Sequence, residues 1–98
     1  MAVIPNDKIL DRMESVLNIA SDFTRLKILY SIYGEEKAVN DIALEIGASQ
    51  SLVSHQLAVL KKAHLVSTSR VGHRVYYRLD DEHVERLLDI TLEHVSEE

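Results

Sequence analysis

The apolar residues of this chain change their period at Leu65, and that change limits the folds open to it. Up to Ala63 they recur three and four residues apart, the spacing of one helix face. Two β-prone runs follow, Leu65 to Val71 and Arg74 to Leu79, and the Gly72-His73 pair between them fits a tight hairpin. Val84, Leu87, Leu88, Thr91 and Val95 then restore the helical period. The chain is therefore mostly α with one β-hairpin late in the sequence.

Local signals divide the helical part. Ile9, Leu10, Met13, Val16, Leu17 and Ala20 predict a first helix near 6–20, and Ser21-Asp22 can end it and cap the next. Leu26, Ile28, Leu29 and Ile32 predict a second helix near 23–33, stopped before Gly34. Asn40 is the expected N-cap of a short third helix, Asp41 to Ile46, with Gly47 as its stop. Ser49 opens a fourth, about 50–63, and Asp80-Asp81 cap a last one, about 82–96. The order α-α-α-α-β-β-α, with a short helix, a Gly turn, a longer helix and a hairpin, is that of a winged helix-turn-helix.

With 98 residues the chain makes one domain, 1–98, and buries only a modest fraction of its surface. It has no Cys, so no disulfide or thiolate metal site can reinforce it. A homodimer through the N- and C-terminal helices is the expected reinforcement. No apolar run reaches membrane-spanning length, and Met1 to Lys8 lack the features of a signal peptide. The expectation is a soluble, cytoplasmic protein with no membrane partner.

The net charge of −5 argues at first against nucleic acid, but its distribution argues for it. Residues 1–48 carry −3, residues 49–78 carry +5 with no Asp or Glu, and residues 79–98 carry −7. A stretch free of carboxylates is a basic patch on an acidic protein. On a helical wheel of the fourth helix, Leu52, Val53, Leu57, Val59, Leu60 and Ala63 share one arc. Gln50, Ser51, Ser54, His55, Ala58, Lys61 and Lys62 share the other. Gln56 falls inside the apolar arc, and periodicity does not explain it. Gln50, Ser51, Ser54 and His55 lie at the helix N-terminus, where short donors and acceptors reach base edges in a major groove. Lys61 and Lys62 suit phosphates, as do Arg70, His73 and Arg74 around the hairpin turn. The plainer alternative is a solvated helix beside a hairpin with ordinary surface cations.

The acidic tail holds four candidate metal ligands: Asp81, His83, His94 and Glu97. They form a stripe beside the apolar face of the last helix. His94 and Glu97 are spaced i, i+3, and Asp81 and His83 meet at the cap, where the backbone is not yet helical. His83 and His94 stand about 16 Å apart along a helix. Zinc ligands lie about 2.0–2.2 Å from the ion, so one helix cannot bring both pairs to it. Two copies packed antiparallel can, giving two equivalent sites across the dimer. The alternative is a solvated acidic face, which is also the reading of Glu82, Glu85, Asp89 and Glu93.

Four segments carry a family resemblance across nearly the whole chain: Ile19 to Leu29, Ala48 to Leu57, Leu60 to Val66, and Val75 to Asp81. The chain resembles the ArsR/SmtB family of bacterial metal-responsive repressors. The resemblance implies a dimeric winged helix-turn-helix that represses metal efflux or sequestration operons and leaves its operator when metal binds. It also implies zinc ligands at Asp81, His83, His94 and Glu97, the pattern of the zinc-sensing branch. The family often has Pro where Phe23 stands, which leaves the start of the second helix open. Many members have a Cys motif at the third helix; here Glu36 to Asp41 has none. Nitrogen and oxygen ligands suit Zn2+, with Co2+ as a substitute.

The expected function is therefore a repressor that binds double-stranded operator DNA as a homodimer and is released by Zn2+. His64, which follows the reading helix, is either a relay of that change or an ordinary surface His. The main alternative is a metal-independent ArsR-like regulator. A winged helix used only for protein contacts would want an acidic or apolar reading arc, which is not seen. No Ser-His-Asp set, phosphate loop or dinucleotide motif supports an enzyme.

Overall fold

Four of the five helices begin where a side chain can accept the free N–H groups of the first turn. In the computed structural model, which describes residues 3–97, Asn6 caps α1 (Asp7–Ala20) and Asp22 caps α2 (Phe23–Ser31). Ser49 caps α4 (Gln50–Lys62) and Asp81 caps α5 (Glu82–Ser96). Asp22 Oδ2 accepts from the Arg25 N–H at 3.0 Å, so Phe23 occupies the first helical position that Pro often takes in the family. Phe23 is 74% exposed, its ring covered by the Lys27 ammonium 4.8 Å away.

The third helix differs from expectation at its start. α3 runs Val39–Ile46 with Ala38 in the capping position and no side-chain cap. Asn40 therefore lies inside the first turn, free to reach outward. The stop at Gly47 is as expected: its φ of 71° is left-handed, and the Ala48 N–H donates to the Ala43 carbonyl at 3.0 Å. The second helix ends at Ser31, two residues early, and turns through Gly34.

The hairpin pairs β1 (Val66–Val71) with β2 (Arg74–Leu79), antiparallel, from Val66 opposite Leu79 to Val71 opposite Arg74. One contact was not foreseen. Lys37, in the connection before α3, exchanges both backbone hydrogen bonds with Tyr77, at 3.0 and 2.8 Å. The wing is thereby anchored to the helix-turn-helix rather than hanging from α4 alone.

The core lies where α2, α3 and α4 meet the base of the hairpin. Ile28, Leu29, Ile32, Ile42, Val53, Leu57, Leu60 and Val66 are fully buried there. Each such side chain contributes about 1.5–3 kcal/mol relative to exposure. The face of α5 divides in two. Val84 and Leu88 are buried on this core, whereas Ile90, Leu92 and Val95 beyond them are exposed. Ile9, Leu10, Met13 and Leu17 of α1 are exposed as well. No helix among the described residues is long and apolar enough to cross a membrane.

Candidate functional site

The reading helix presents the arc that its sequence periodicity marks. Gln50, Ser51, Ser54, His55, Lys61 and Lys62 are all exposed, while Val53, Leu57 and Leu60 are buried on the opposite side. Leu52 departs from expectation: it is 41% exposed. Gln56, which periodicity leaves unexplained, has a polar partner. Its Oε1 accepts from Arg25 Nε at 2.6 Å, and Arg25 also donates to the Ile19 carbonyl at 3.2 Å. The guanidinium thus joins the end of α1, the start of α2 and the middle of α4.

The wing places Arg70, His73 and Arg74 on the surface around Gly72, whose φ is 62°. Arg74 is not a free cation. Its guanidinium lies 3.8 Å from Asp41 Oδ2 and 5.5 Å from the centre of the Tyr76 ring. Beside it, Gln50 Nε2 donates to Asn40 Oδ1 at 2.9 Å. Sequence reading missed Asn40 as a partner of the reading helix and Asp41 as a partner of the wing. No spacing signal marks either pairing.

His64 is neither helical nor extended. Its φ is 60°, unusual for a side chain other than Gly. The His64 N–H donates to the Lys61 carbonyl and the Leu65 N–H to the Leu60 carbonyl, both at 3.0 Å. This is the paired closure of a Schellman motif, with Leu65 and Leu60 both buried. Its observed role is to terminate α4.

At the start of α5 the Asp81 carboxylate has two tasks. Oδ1 accepts from the N–H groups of His83 at 2.9 Å and Val84 at 3.3 Å. Oδ2 lies 3.4 Å from His83 Nδ1. The His83 side chain, aided by those two N–H groups, outweighs desolvation and holds the Asp81 carboxyl below its usual range. Two donors about 2.0–2.1 Å from a tetrahedral ion stand about 3.4 Å from each other, so Oδ2 and Nδ1 fit two corners of a zinc site. His94 is exposed in the last turn, about 16 Å along the helix axis from His83, and Glu97 is exposed at the C-cap beyond it. No group of three or more His, Cys, Asp or Glu that could hold a metal ion occurs among the described residues. Asp89 is more than a solvated acid, since it accepts from the Tyr33 hydroxyl at 2.7 Å.

The sequence pattern of bacterial regulatory proteins of the arsR family matches residues 22–68, from the α2 cap into the hairpin. A cadmium resistance transcriptional regulatory protein, a CadC homolog of Staphylococcus aureus, is 40% identical over 84% of this chain and 69% of its own length. The chain belongs to the arsR family. This ArsR-family chain is also 38% identical to the regulator KmtR of Mycobacterium tuberculosis, over 87% of its residues and 65% of KmtR. It thus spans just under two thirds of that relative. The homodimeric winged helix-turn-helix DNA-binding domain of Mb0332 from Mycobacterium bovis, described as a possible ArsR-family transcriptional regulator, superposes with a TM-score of 0.87. That match covers 99% of this chain and 92% of the other, at 33% identity. The matched proteins are regulators of transcription, not enzymes.

Proposed function

We propose that the chain is a metal-responsive transcriptional repressor that binds operator DNA as a homodimer and is released by Zn2+. The reading helix would enter the major groove with Gln50, Ser51, Ser54 and His55 toward the bases. Lys61 and Lys62 would lie on phosphates, with Arg70, His73 and Arg74 on the backbone or minor groove. The exposed apolar residues of α1 and of the distal half of α5 would form the dimer seam. The homodimeric state of the Mycobacterium bovis domain supports that seam.

The observation that carries the metal reading is the Asp81–His83 pair. Its donors already stand 3.4 Å apart, and no third ligand lies nearby among the described residues. His94 and Glu97 of a second copy, running antiparallel, would complete the set. Zn2+, when bound, supplies a cross-link between the two last helices, and Co2+ would substitute for it. Asp81 keeps its cap through Oδ1 while offering Oδ2, so ligation need not unwind the helix start. Repression would be relieved because the cross-linked arrangement of α5 holds the two reading helices out of register with successive grooves. A coupling of about 1–3 kcal/mol is typical of such a change.

One titration tests this. Duplex DNA recovered by the protein from a random pool is mixed with protein, with Zn2+ and then with chelator. Zinc should weaken binding about 5- to 150-fold, and chelator should restore it. His83→Ala and His94→Ala should each abolish the response while leaving metal-free binding intact. DNA binding indifferent to zinc would instead support a metal-independent ArsR-like regulator.

A further inference from the structure

Two of the side chains assigned to DNA are held, in this structure, by neighbours on the third helix. Gln50 opens the reading helix, and its amide nitrogen donates to Asn40 Oδ1 at 2.9 Å. Arg74 opens β2 of the wing, and its guanidinium lies 3.8 Å from Asp41 Oδ2. Asn40 and Asp41 are consecutive, exposed and placed in the first turn of α3 because that helix starts at Val39. One turn of α3 therefore touches both the helix and the wing of the interface.

We propose that Asn40 and Asp41 are positioning residues of the interface with double-stranded DNA. Asn40 fixes the Gln50 amide for base reading, and Asp41 restrains Arg74 from indiscriminate phosphate binding. This rests on the DNA-binding reading above.

The chemistry of the two pairs differs, and so do their consequences. A Gln side chain presents a donor and an acceptor to adenine only when its amide plane is oriented. Asn40 uses its oxygen to take one donor of that amide, which fixes the plane and leaves the Gln50 oxygen and second N–H free. The Asp41 carboxylate is a negative charge set beside a wing cation. Both partners are more than half exposed, so the pair adds little to stability. Its effect falls on DNA instead. A phosphate must compete with Asp41 for Arg74, and Asp41 itself repels the backbone. The carboxylate thus lowers the sequence-independent part of the affinity, which is the part carried by counterion release. The Arg74 contact with the Tyr76 ring keeps the guanidinium near the wing when Asp41 is removed.

The test uses the full chain and two duplexes of roughly 30 base pairs, long enough for two half-sites. One is recovered by the wild-type protein from a random pool; the other is its scrambled version. Affinities are measured by fluorescence anisotropy across a salt series. Asp41→Asn should bind both duplexes several-fold more tightly by the same factor, and the log–log salt slope should steepen by about 0.9 per chain. Asn40→Ala should lower the ratio of selected to scrambled affinity by about 5- to 10-fold, with the salt slope unchanged. Asn40→Asp keeps the acceptor for Gln50, so the ratio should be restored while binding to both duplexes weakens. A merely structural role for either residue would move the melting temperature and leave slope and ratio alone. An unchanged or shallower slope in Asp41→Asn, or an unchanged ratio in Asn40→Ala, overturns the corresponding role while DNA binding by the wild type stands. A wild-type protein that recovers no duplex overturns this inference together with the DNA reading beneath it.

Discussion

The most strained residue described is His64, and its strain has a measurable consequence. A side chain in the left-handed region costs roughly 1–2 kcal/mol, which Gly avoids. Part of the gain from Gly is returned as chain entropy in the unfolded state. His64→Gly should therefore raise stability by about 1 kcal/mol in urea unfolding, with the Leu60–Leu65 closure intact. For a domain of this size that corresponds to roughly 4–8 °C in melting temperature. A loss of stability would show that the imidazole makes a stabilising contact, and would return the relay reading to consideration. Tyr33 offers a second test. Its hydroxyl donates to Asp89, and that hydrogen bond, with some desolvation and the nearby carboxylates, pushes its pKa up to about 12. A folded pKa above the unfolded value near 10 means the folded state keeps its proton longer. The contribution is complete below pH 10 and is lost as pH rises through about 12. In a phenolate absorbance titration one of the four tyrosines should ionise late, and Tyr33→Phe should remove that late step.

At the scale of elements, α2 is the part on which the others are hung. Arg25 ties it to α1 and α4, and at its end the Tyr30 hydroxyl donates to the Leu88 carbonyl of α5 at 3.0 Å. The Arg25–Gln56 bond is charge-assisted, short and partly buried, so Arg25→Ala should cost about 1.5–3 kcal/mol. Arg25→Lys should recover little of it, because an ammonium lacks the fork that serves Gln56 and the Ile19 carbonyl at once. A double-mutant cycle with Gln56→Ala should give a coupling of about 1 kcal/mol or more; independence would make Arg25 a surface residue of no architectural weight. The same bond explains what sequence reading could and could not see. Asp22, Gly47, Ser49 and Asp81 were legible because caps act over two to four residues, and the reading arc and the two strands with their turn were legible because periodicity is local too. Arg25 and Gln56 are 31 residues apart, and Tyr33 and Asp89 are 56 apart. Residue type and spacing do not encode which distant polar groups meet. Asn40 shows the converse error. A good capping residue stood two residues too late, because Ala38 and the Lys37–Tyr77 pairing fixed where α3 begins. Of the candidate sites, the exposed DNA arc and the Asp81–His83 approach follow from local pattern, whereas the restraint on Arg74 does not.

At the scale of the whole molecule, the unpartnered apolar surface and the divided ligand set lead to one linked prediction. Met13 and Leu17 of α1 are 48% and 51% exposed, and Ile90 of α5 is 62% exposed. None of the three is among the residues assigned to DNA, so charge placed there removes no DNA contact directly. If these residues form the seam, Leu17→Glu buries a carboxylate without a partner in the dimer and costs nothing comparable in the monomer, where it is already wet. Sedimentation should then report half the wild-type mass, with the circular dichroism spectrum unchanged. Zinc affinity should fall with the mass. Each monomer keeps an intact Asp81–His83 pair but loses the other chain's His94 and Glu97, so binding should weaken by more than about 100-fold. The order of events matters more than either loss. Raising the concentration of Leu17→Glu should restore dimer and metal affinity together, along one curve, because the seam and the metal site draw on the same association. Zinc affinity that survives in the monomer would place all ligands within one chain and remove the cross-link from which release of DNA follows. A dimer that persists in Leu17→Glu would place the seam elsewhere, and the antiparallel approach of the two last helices would lose its physical basis.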